Sequence, residues 1–590
     1  MTRPAIALST NNIATSGTHQ SVLNGGFDIF LTKFSPTGIR LWGTYFGGAS
    51  PDVAYALYVE KNGNAYVAGA TLSTSNIATF NAHQLIFGGG LDDAILAKFD
   101  ASGLRLWATY YGGTEHEVAQ ALTVDRNGNA IITGHTESVN NISTAGAYGT
   151  TYNFAYDVFI AKINTFGSRV WGTYYGDSDL DEAYGIACDS VGDIYITGGT
   201  VSSSGISTPG THQLNNAGFL DGFVSKFNAA GTSLLWASYY GGPGNDFGTV
   251  IEVDKTGRVF VGGTTGSNSG IATPGSHQAT QGSVDDAFLV AFNNAGTRLW
   301  ATYYGGNDVD YINDLLIDHN GDLFFCGSST SPNAISTPGA YQSTLYSANN
   351  YDSYFTKFSP AGQCLYGTYY GSDGNDVARG ITRDNSLRLY VAGETTSSNN
   401  MAIPGAHQFF PGGTNDAFVA RFCFTPEPVI SPAGTNTMCA GSITLSTQDW
   451  YTTFLWNGTF TGNPLVLTTT VVGTYTYAVY VNDFGCEAAS DTVTIQIVKC
   501  ETGGVDLSEY KNQMSLEMYP NPAKESVHLL IENEPTQKNI RLYSASGALI
   551  YESTNSSNTI EIHTGNFSPG LYLLRIESGG YYADKKLVIE

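Results

Sequence analysis

One motif returns through residues 1–424 at a nearly constant interval. Its clearest copy is Leu106-Trp107-Ala108-Thr109-Tyr110-Tyr111-Gly112-Gly113. The leading aromatic residue stands at Trp42, Trp107, Trp171, Trp236, Trp300 and Tyr366, in steps of 65, 64, 65, 64 and 66 residues. A fixed period of this length means that one supersecondary unit has been copied, which constrains the fold more than any other feature of the chain.

Each period carries four strand-like segments, A to D. In the first complete copy, A runs from Asp52 to Glu60, B from Asn64 to Gly69, C from Asp93 to Phe99, and D is the Trp-Ala-Thr-Tyr-Tyr motif. Lys61-Asn62-Gly63 and Ala101-Ser102-Gly103 supply turns, and short strands joined by Gly-containing turns read as antiparallel hairpins. Alternation along D puts Leu104, Leu106, Ala108 and Tyr110 on one face and Arg105, Trp107, Thr109 and Tyr111 on the other. Large groups on both faces suit a sheet held between two neighbours. Four strands per unit in radial repetition is the pattern of a β-propeller blade.

The copies can be counted. Segment C opens with Asp28, Asp93, Asp157, Asp221, Asp286, Asp352 and Asp416, and the B-to-C connection carries His19, His83, Tyr148, His212, His277, Tyr341 and His407, so seven copies of each exist. Segments A and D occur six times. One D–A block placed before Met1 would complete seven blades, so the expectation is a sequence lacking a short upstream piece and any signal peptide with it. The alternative count is six blades framed C-D-A-B. The expected fold class is all-β: a β-propeller of seven blades, or six, followed by two small β-sandwich domains.

The repeated Asp-Ala-Phe-Leu-x-Lys-Phe, Leu-Trp-Ala-Thr-Tyr-Tyr-Gly-Gly and Asp-x-x-Gly-Asn-x-Tyr-Val-x-Gly patterns make residues 1–424 resemble the SBBP-type β-propeller repeat family. That resemblance implies a propeller and no particular activity.

Composition changes at Thr425-Pro426-Glu427-Pro428, where closely spaced prolines break the strand pattern and mark a domain boundary. Residues 425–500 are β-rich without the propeller period, and their strand spacing fits a small sandwich. Cys439-Ala440-Gly441, Trp456-Asn457-Gly458, Gly473-Thr474-Tyr475 and Gly485-Cys486 resemble the PKD-like and immunoglobulin-like modules of bacterial surface proteins. The resemblance implies a Cys439–Cys486 disulfide. Cys423 and Cys500 flank the module as a second candidate pair, and Cys188 and Cys326 sit at apolar strand positions as core residues. Residues 501–514 read as linker.

Residues 515–590 form a last β-rich unit. Tyr519-Pro520-Asn521-Pro522 near its start, Ser568-Pro569-Gly570-Leu571-Tyr572-Leu573-Leu574-Arg575-Ile576, and the terminal Lys585-Lys586-Leu587-Val588-Ile589 closely resemble the C-terminal sorting domain of the bacterial type IX secretion system. The resemblance implies that this unit engages the secretion machinery, crosses the outer membrane, and leaves the protein released or attached at the surface. Cargo of that system normally carries an N-terminal signal peptide, and Met1 to Thr10 lack the apolar run one requires.

The net charge of −25 repels phosphate backbones and argues against a nucleic-acid partner. No apolar run is long enough for a transmembrane helix. Seven cysteines are too few for a dense disulfide framework.

Candidate sites come from two rows of residues. Asp52, Glu117, Asp181, Asp246, Asp310 and Asp376 open the A segments. With A innermost they would form a ring of carboxylates at one mouth of the propeller, able to attract cations or hold Ca²⁺. The competing reading has each carboxylate hydrogen-bonding the turn amides of its own blade; no other cofactor is expected. Three residues further on the copies differ, reading Tyr55, Gln120, Tyr184, Thr249, Asn313 and Arg379. Where repeats agree the reason is scaffold, and where they differ a site is expected, so this row is the candidate ligand contact. No Gly-x-Ser-x-Gly, His-Glu-x-x-His or Walker motif appears and no catalytic residue is assigned. The expected function is non-catalytic binding or adhesion toward a glycan or protein ligand, outside the cell. The alternatives are an extracellular carbohydrate-active enzyme, hydrolase or lyase, with its site at the propeller mouth, and a structural surface-coat component.

Overall fold

The computed structural model describes residues 6–7, 9–10, 12–384, 388–422, 430–438, 441–447, 453–469, 471–483, 486–490, 492–498, 515–532, 537–544, 548–578 and 581–589. Every regular element among them is a strand, so no helix is long and apolar enough to cross a membrane. Cys423, Cys439, Cys500 and the 501–514 linker lie outside the described residues, and with them both proposed disulfides.

The repeat folds as a β-propeller. Seven antiparallel sheets follow one another, and each is framed A-B-C-D: in the second, Asp52–Val59 pairs with Ala65–Thr71, that with Asp93–Phe99, and that with Arg105–Tyr111. Five sheets have four strands; the first has Ile6–Ala7 with C and D, and the seventh has A, B and C. The A strands of successive sheets lie against one another, which makes A the innermost strand. Strands B and C of the second to fifth sheets are buried along their whole length, the pattern of sheets covered on both faces.

The motif that sets the period also joins the sheets. Trp42, Trp107, Trp236 and Trp300 donate their indole N–H to a carbonyl in the C-to-D turn of the next sheet, at Ala101, Thr165, Asn294 and Pro360, over 2.9–3.1 Å. The turn glycine lies flat beneath the ring: a Cβ on Gly103, at φ +85°, would come within 2.9 Å of Trp42, so this site needs glycine for backbone and space alike. The two tyrosines of the motif divide their labour. Tyr110 OH donates to Ser73 O in its own sheet at 2.8 Å, whereas Tyr111 OH donates to Ile142 O in the next at 2.6 Å.

The His or Tyr of the B-to-C connection packs on the ring that ends strand C of the following sheet: His19 on Phe99, Tyr148 on Phe227, His212 on Phe292, His277 on Phe358 and Tyr341 on Phe422. The same contact joins the seventh sheet to the first, where His407 meets Phe34 with ring centroids 5.7 Å apart. Arg421 of the seventh sheet donates to Pro36 O of the first at 3.0 Å, as Lys33 of the first does to Ala101 O of the second at 3.1 Å.

The chain divides into two compact units, the first holding the propeller and the second the C-terminal domain, with parts of residues 434–492 in each. In the middle region Thr435–Met438 runs parallel to Val493–Ile497, and Thr453–Trp456 pairs with Val479–Asp483 around the fully buried Trp456. The C-terminal domain has two sheets: Ser515–Tyr519, Ser526–Glu532 and Thr559–His563 in one, and Lys538–Ser544, Leu549–Asn555, Gly570–Ser578 and Tyr581–Ile589 in the other. Alternate residues of both, among them Leu529, Ile562, Leu542, Leu574 and Leu587, bury one core.

Candidate functional site at the inner strands

The six carboxylates that open the A strands are fully buried. Each accepts a backbone N–H from the D-to-A connection that leads into its sheet from the one before: Gly48 to Asp52, Gly113 to Glu117, Asp177 to Asp181, Gly242 to Asp246, Gly306 to Asp310 and Ser372 to Asp376, all at 2.7–2.8 Å. A serine hydroxyl following strand B adds a bond to Asp52, Asp181, Asp246, Asp310 and Asp376. The aspartate that opens strand C approaches the same turn, so that a Cβ on Gly47 would meet Asp52 Oδ2 at 2.5 Å and Asp28 Cγ at 2.7 Å. Withdrawal from water is the main cause that pushes Asp93, Asp157 and Asp310 up to about 7 and Asp52 and Asp181 up to about 6. Among the described residues no three His, Cys, Asp or Glu side chains form a metal cage.

Tyr55, Gln120, Tyr184, Thr249, Asn313 and Arg379 share a backbone feature that the sequence does not display. In every A strand the pairing with B skips this residue, a β-bulge. A bulge leaves one residue unpaired and re-aims its side chain. Thr249 Oγ1 donates to Ile312 O at 2.8 Å and Asn313 Nδ2 to Ala378 O at 2.7 Å, each binding the next sheet. Arg379 pairs with Glu394, and Tyr184 OH donates to Glu182. Gln120 Oε1 is buried with no hydrogen-bond partner among the described residues. Tyr55 is half-buried, and its phenol is raised by burial and then by the Asp92 carboxylate.

A cluster found only once in the ring crosses the second, third and fourth sheets at the end where the A strands begin. Asp92 precedes strand C of the second sheet. His116, His135 and Tyr156 precede or lie on strands A, B and C of the third, and Glu182 and Tyr184 lie on strand A of the fourth. His116 Nδ1 contacts Asp92 Oδ1, His116 Nε2 lies 3.2 Å from His135 Nε2, and His135 Nδ1 lies 3.4 Å from Glu182 Oε1. The Tyr156 ring packs on His135 with centroids 4.9 Å apart. The hydrogen bond to Asp92 raises His116, whereas burial and then the neighbouring His116 lower His135 to about 3. Sequence reasoning missed this cluster. The signal was present in the repeat alignment: the position of His135 holds Ala70, Gly199, Thr264, Ser328 and Glu394 elsewhere, and that of His116 holds Pro51, Leu180, Asn245, Val309 and Asn375.

Comparison with known proteins places the C-terminal domain. Residues 517–590 match the secretion system C-terminal sorting domain family. The chain therefore carries a type IX sorting domain, which directs export to the cell surface or beyond it and implies contact with the secretion machinery. Over 443 residues the chain is 20% identical to an uncharacterized WD repeat-containing protein of Acanthamoeba polyphaga mimivirus, covering 64% of this chain and 32% of that one. It is 23% identical to the regulatory protein FlaEY of Caulobacter vibrioides over 329 residues, 52% of this chain and 33% of that one. The chain thus spans about a third of the length of these curated relatives. Among solved structures it is similar to PorZ, a surface component of the type IX secretion system of Porphyromonas gingivalis. The identity is 12%, over 93% of this chain and 61% of that one, with a TM-score of 0.29.

Proposed function

We propose that this chain is an exported propeller that binds a glycan or protein ligand without turning it over, at the end of the ring where the A strands begin. The observation that supports this reading is the row of inner-strand bulges: one backbone device, repeated in six sheets, carries five kinds of side chain. A constant scaffold with variable contacts is how a repeat protein acquires specificity. The sorting domain supplies the address for such a function.

A second reading, an extracellular carbohydrate-active enzyme, draws support from the His116–His135 pair beside Glu182, a one-off set of proton-carrying groups. The two readings separate on a polysaccharide and glycoprotein array probed with the full chain, in calcium and in chelator, followed by chromatography of whatever is retained. The binding reading expects retention of at least one ligand class with its mass unchanged. Shortened or unsaturated products would overturn it in favour of the enzyme, and silence across the array would favour a structural coat.

A further inference from the structure

His116 and His135 each have a carboxylate behind the ring. Asp92 faces Nδ1 of the first and Glu182 faces Nδ1 of the second. An imidazole that donates from Nδ1 carries its lone pair on Nε2. The two Nε2 atoms face each other at 3.2 Å, a spacing that is filled either by an N–H donated from one ring to the other or by a cation between two lone pairs. The first arrangement turns one Nδ1 lone pair toward a carboxylate, in a cluster where the His135 side chain is only 7% exposed, and the second lets both Nδ1 atoms carry a proton toward one. The spacing suits a metal ion. Two imidazole nitrogens bound to one tetrahedral ion at roughly 2.0–2.1 Å stand about 3.3 Å apart. A carboxylate receiving the distal N–H of each ring is the arrangement that fixes the tautomer of metal-binding histidines and raises their basicity. The cluster opens to solvent along the 19%-exposed His116 side chain, and Asp92 and Glu182 offset a divalent charge.

We propose that His116 and His135 bind one divalent transition-metal ion of the zinc class through their Nε2 atoms, with the remaining coordination positions taken by water or an external ligand. The site is distinct from the carboxylate row that opens the A strands, each member of which accepts a backbone N–H from the connection before its strand. It also stands apart from the ligand-binding reading, since the metal site can exist whether or not a glycan is bound.

The test uses the full chain, without an affinity tag, freed of metal by chelation and titrated with Zn²⁺ by calorimetry and with Co²⁺ by visible absorption. The expected result is one equivalent of Zn²⁺ that disappears in His116→Gln and in His135→Ala. Asp92→Asn is expected to weaken it by about 10- to 100-fold, and His83→Ala to leave it unchanged. The partly exposed His116→Gln guards against misfolding, and each variant is first checked by its thermal unfolding. Zinc stoichiometry and affinity that are the same in wild type and His116→Gln, or no zinc bound by the wild type, would overturn the proposal.

Discussion

At the scale of single residues, the joints between sheets rest on a few atoms of the repeated motif. Gly231 sits at φ +68° with its backbone against Trp171, and a Cβ there would come within 2.6 Å of the indole. Gly231→Ala combines a left-handed backbone with a clash. It is expected to cost about 1–3 kcal/mol, read as a lower denaturation midpoint. Tyr111→Phe removes the closer of two donors to Ile142 O in a buried joint and leaves Arg169 Nη1 at 3.3 Å. The lost bond is expected to cost about 0.5–1.5 kcal/mol, while Tyr148→Phe, half-exposed on the surface, changes little. The scaffold role of these positions was legible because they recur. The use of Trp107 N–H as a donor across to Thr165 was not, since spacing along one strand says nothing about which atom of the next sheet lies opposite.

At the scale of elements, the four strands of each unit followed from the alternation of side chains and from the Gly turns. The bulge on strand A did not. Ala54 and Ala56 flank Tyr55 with small side chains that pack on either face, so nothing in the period-two pattern reveals the extra residue. In the fifth and sixth sheets the bulge also ties neighbours together. Asn313→Ala is expected to lose the bond to Ala378 O and to destabilise by about 1 kcal/mol, measured by urea unfolding. A neutral result would mean that the bulge side chain is free to serve a ligand there. The His116–His135 cluster was legible only in outline. Both histidines stand at positions where no other copy has one, but the sequence could not show that they meet, because they belong to two strands and draw their carboxylates from the two adjacent sheets.

At the scale of the whole molecule, the buried carboxyls give a signed pH dependence. Asp93, Asp157 and Asp310 are held at about 7 and Glu252 at about 8, chiefly by burial, against about 4 in an unfolded chain. A raised carboxyl contributes stability that is complete below the unfolded value and is lost as pH rises through the folded one. His19, His83 and His212, lowered to about 4, and His135, lowered to about 3, act in the opposite direction. They do so mainly below about 7.5, because an unfolded histidine is half protonated at about 6.5. Between about pH 7.5 and 8.5 the carboxyls therefore dominate among these groups, and the melting temperature is expected to fall as pH rises. A flat or rising profile would contradict the burial described here.

The ring itself makes a further claim at this scale. His407 and Phe34 touch although 373 residues separate them. A double-mutant cycle with alanine at both is expected to give a coupling of about 0.5 kcal/mol or more, and additivity would mean that the seam is open. The propeller and the sorting domain were both readable from the sequence because each rests on many residues in a fixed order. The ligand was not, because recognition depends on the few positions where the copies disagree.

The central claim is that recognition sits where the sheets differ, so the most direct measurement compares binding of one array-selected ligand by the wild-type chain, by Tyr55→Ala and by His83→Ala at a repeated position. The account predicts affinity at least tenfold weaker in Tyr55→Ala and unchanged in His83→Ala. Equal affinity in all three, or a loss confined to His83→Ala, would contradict it.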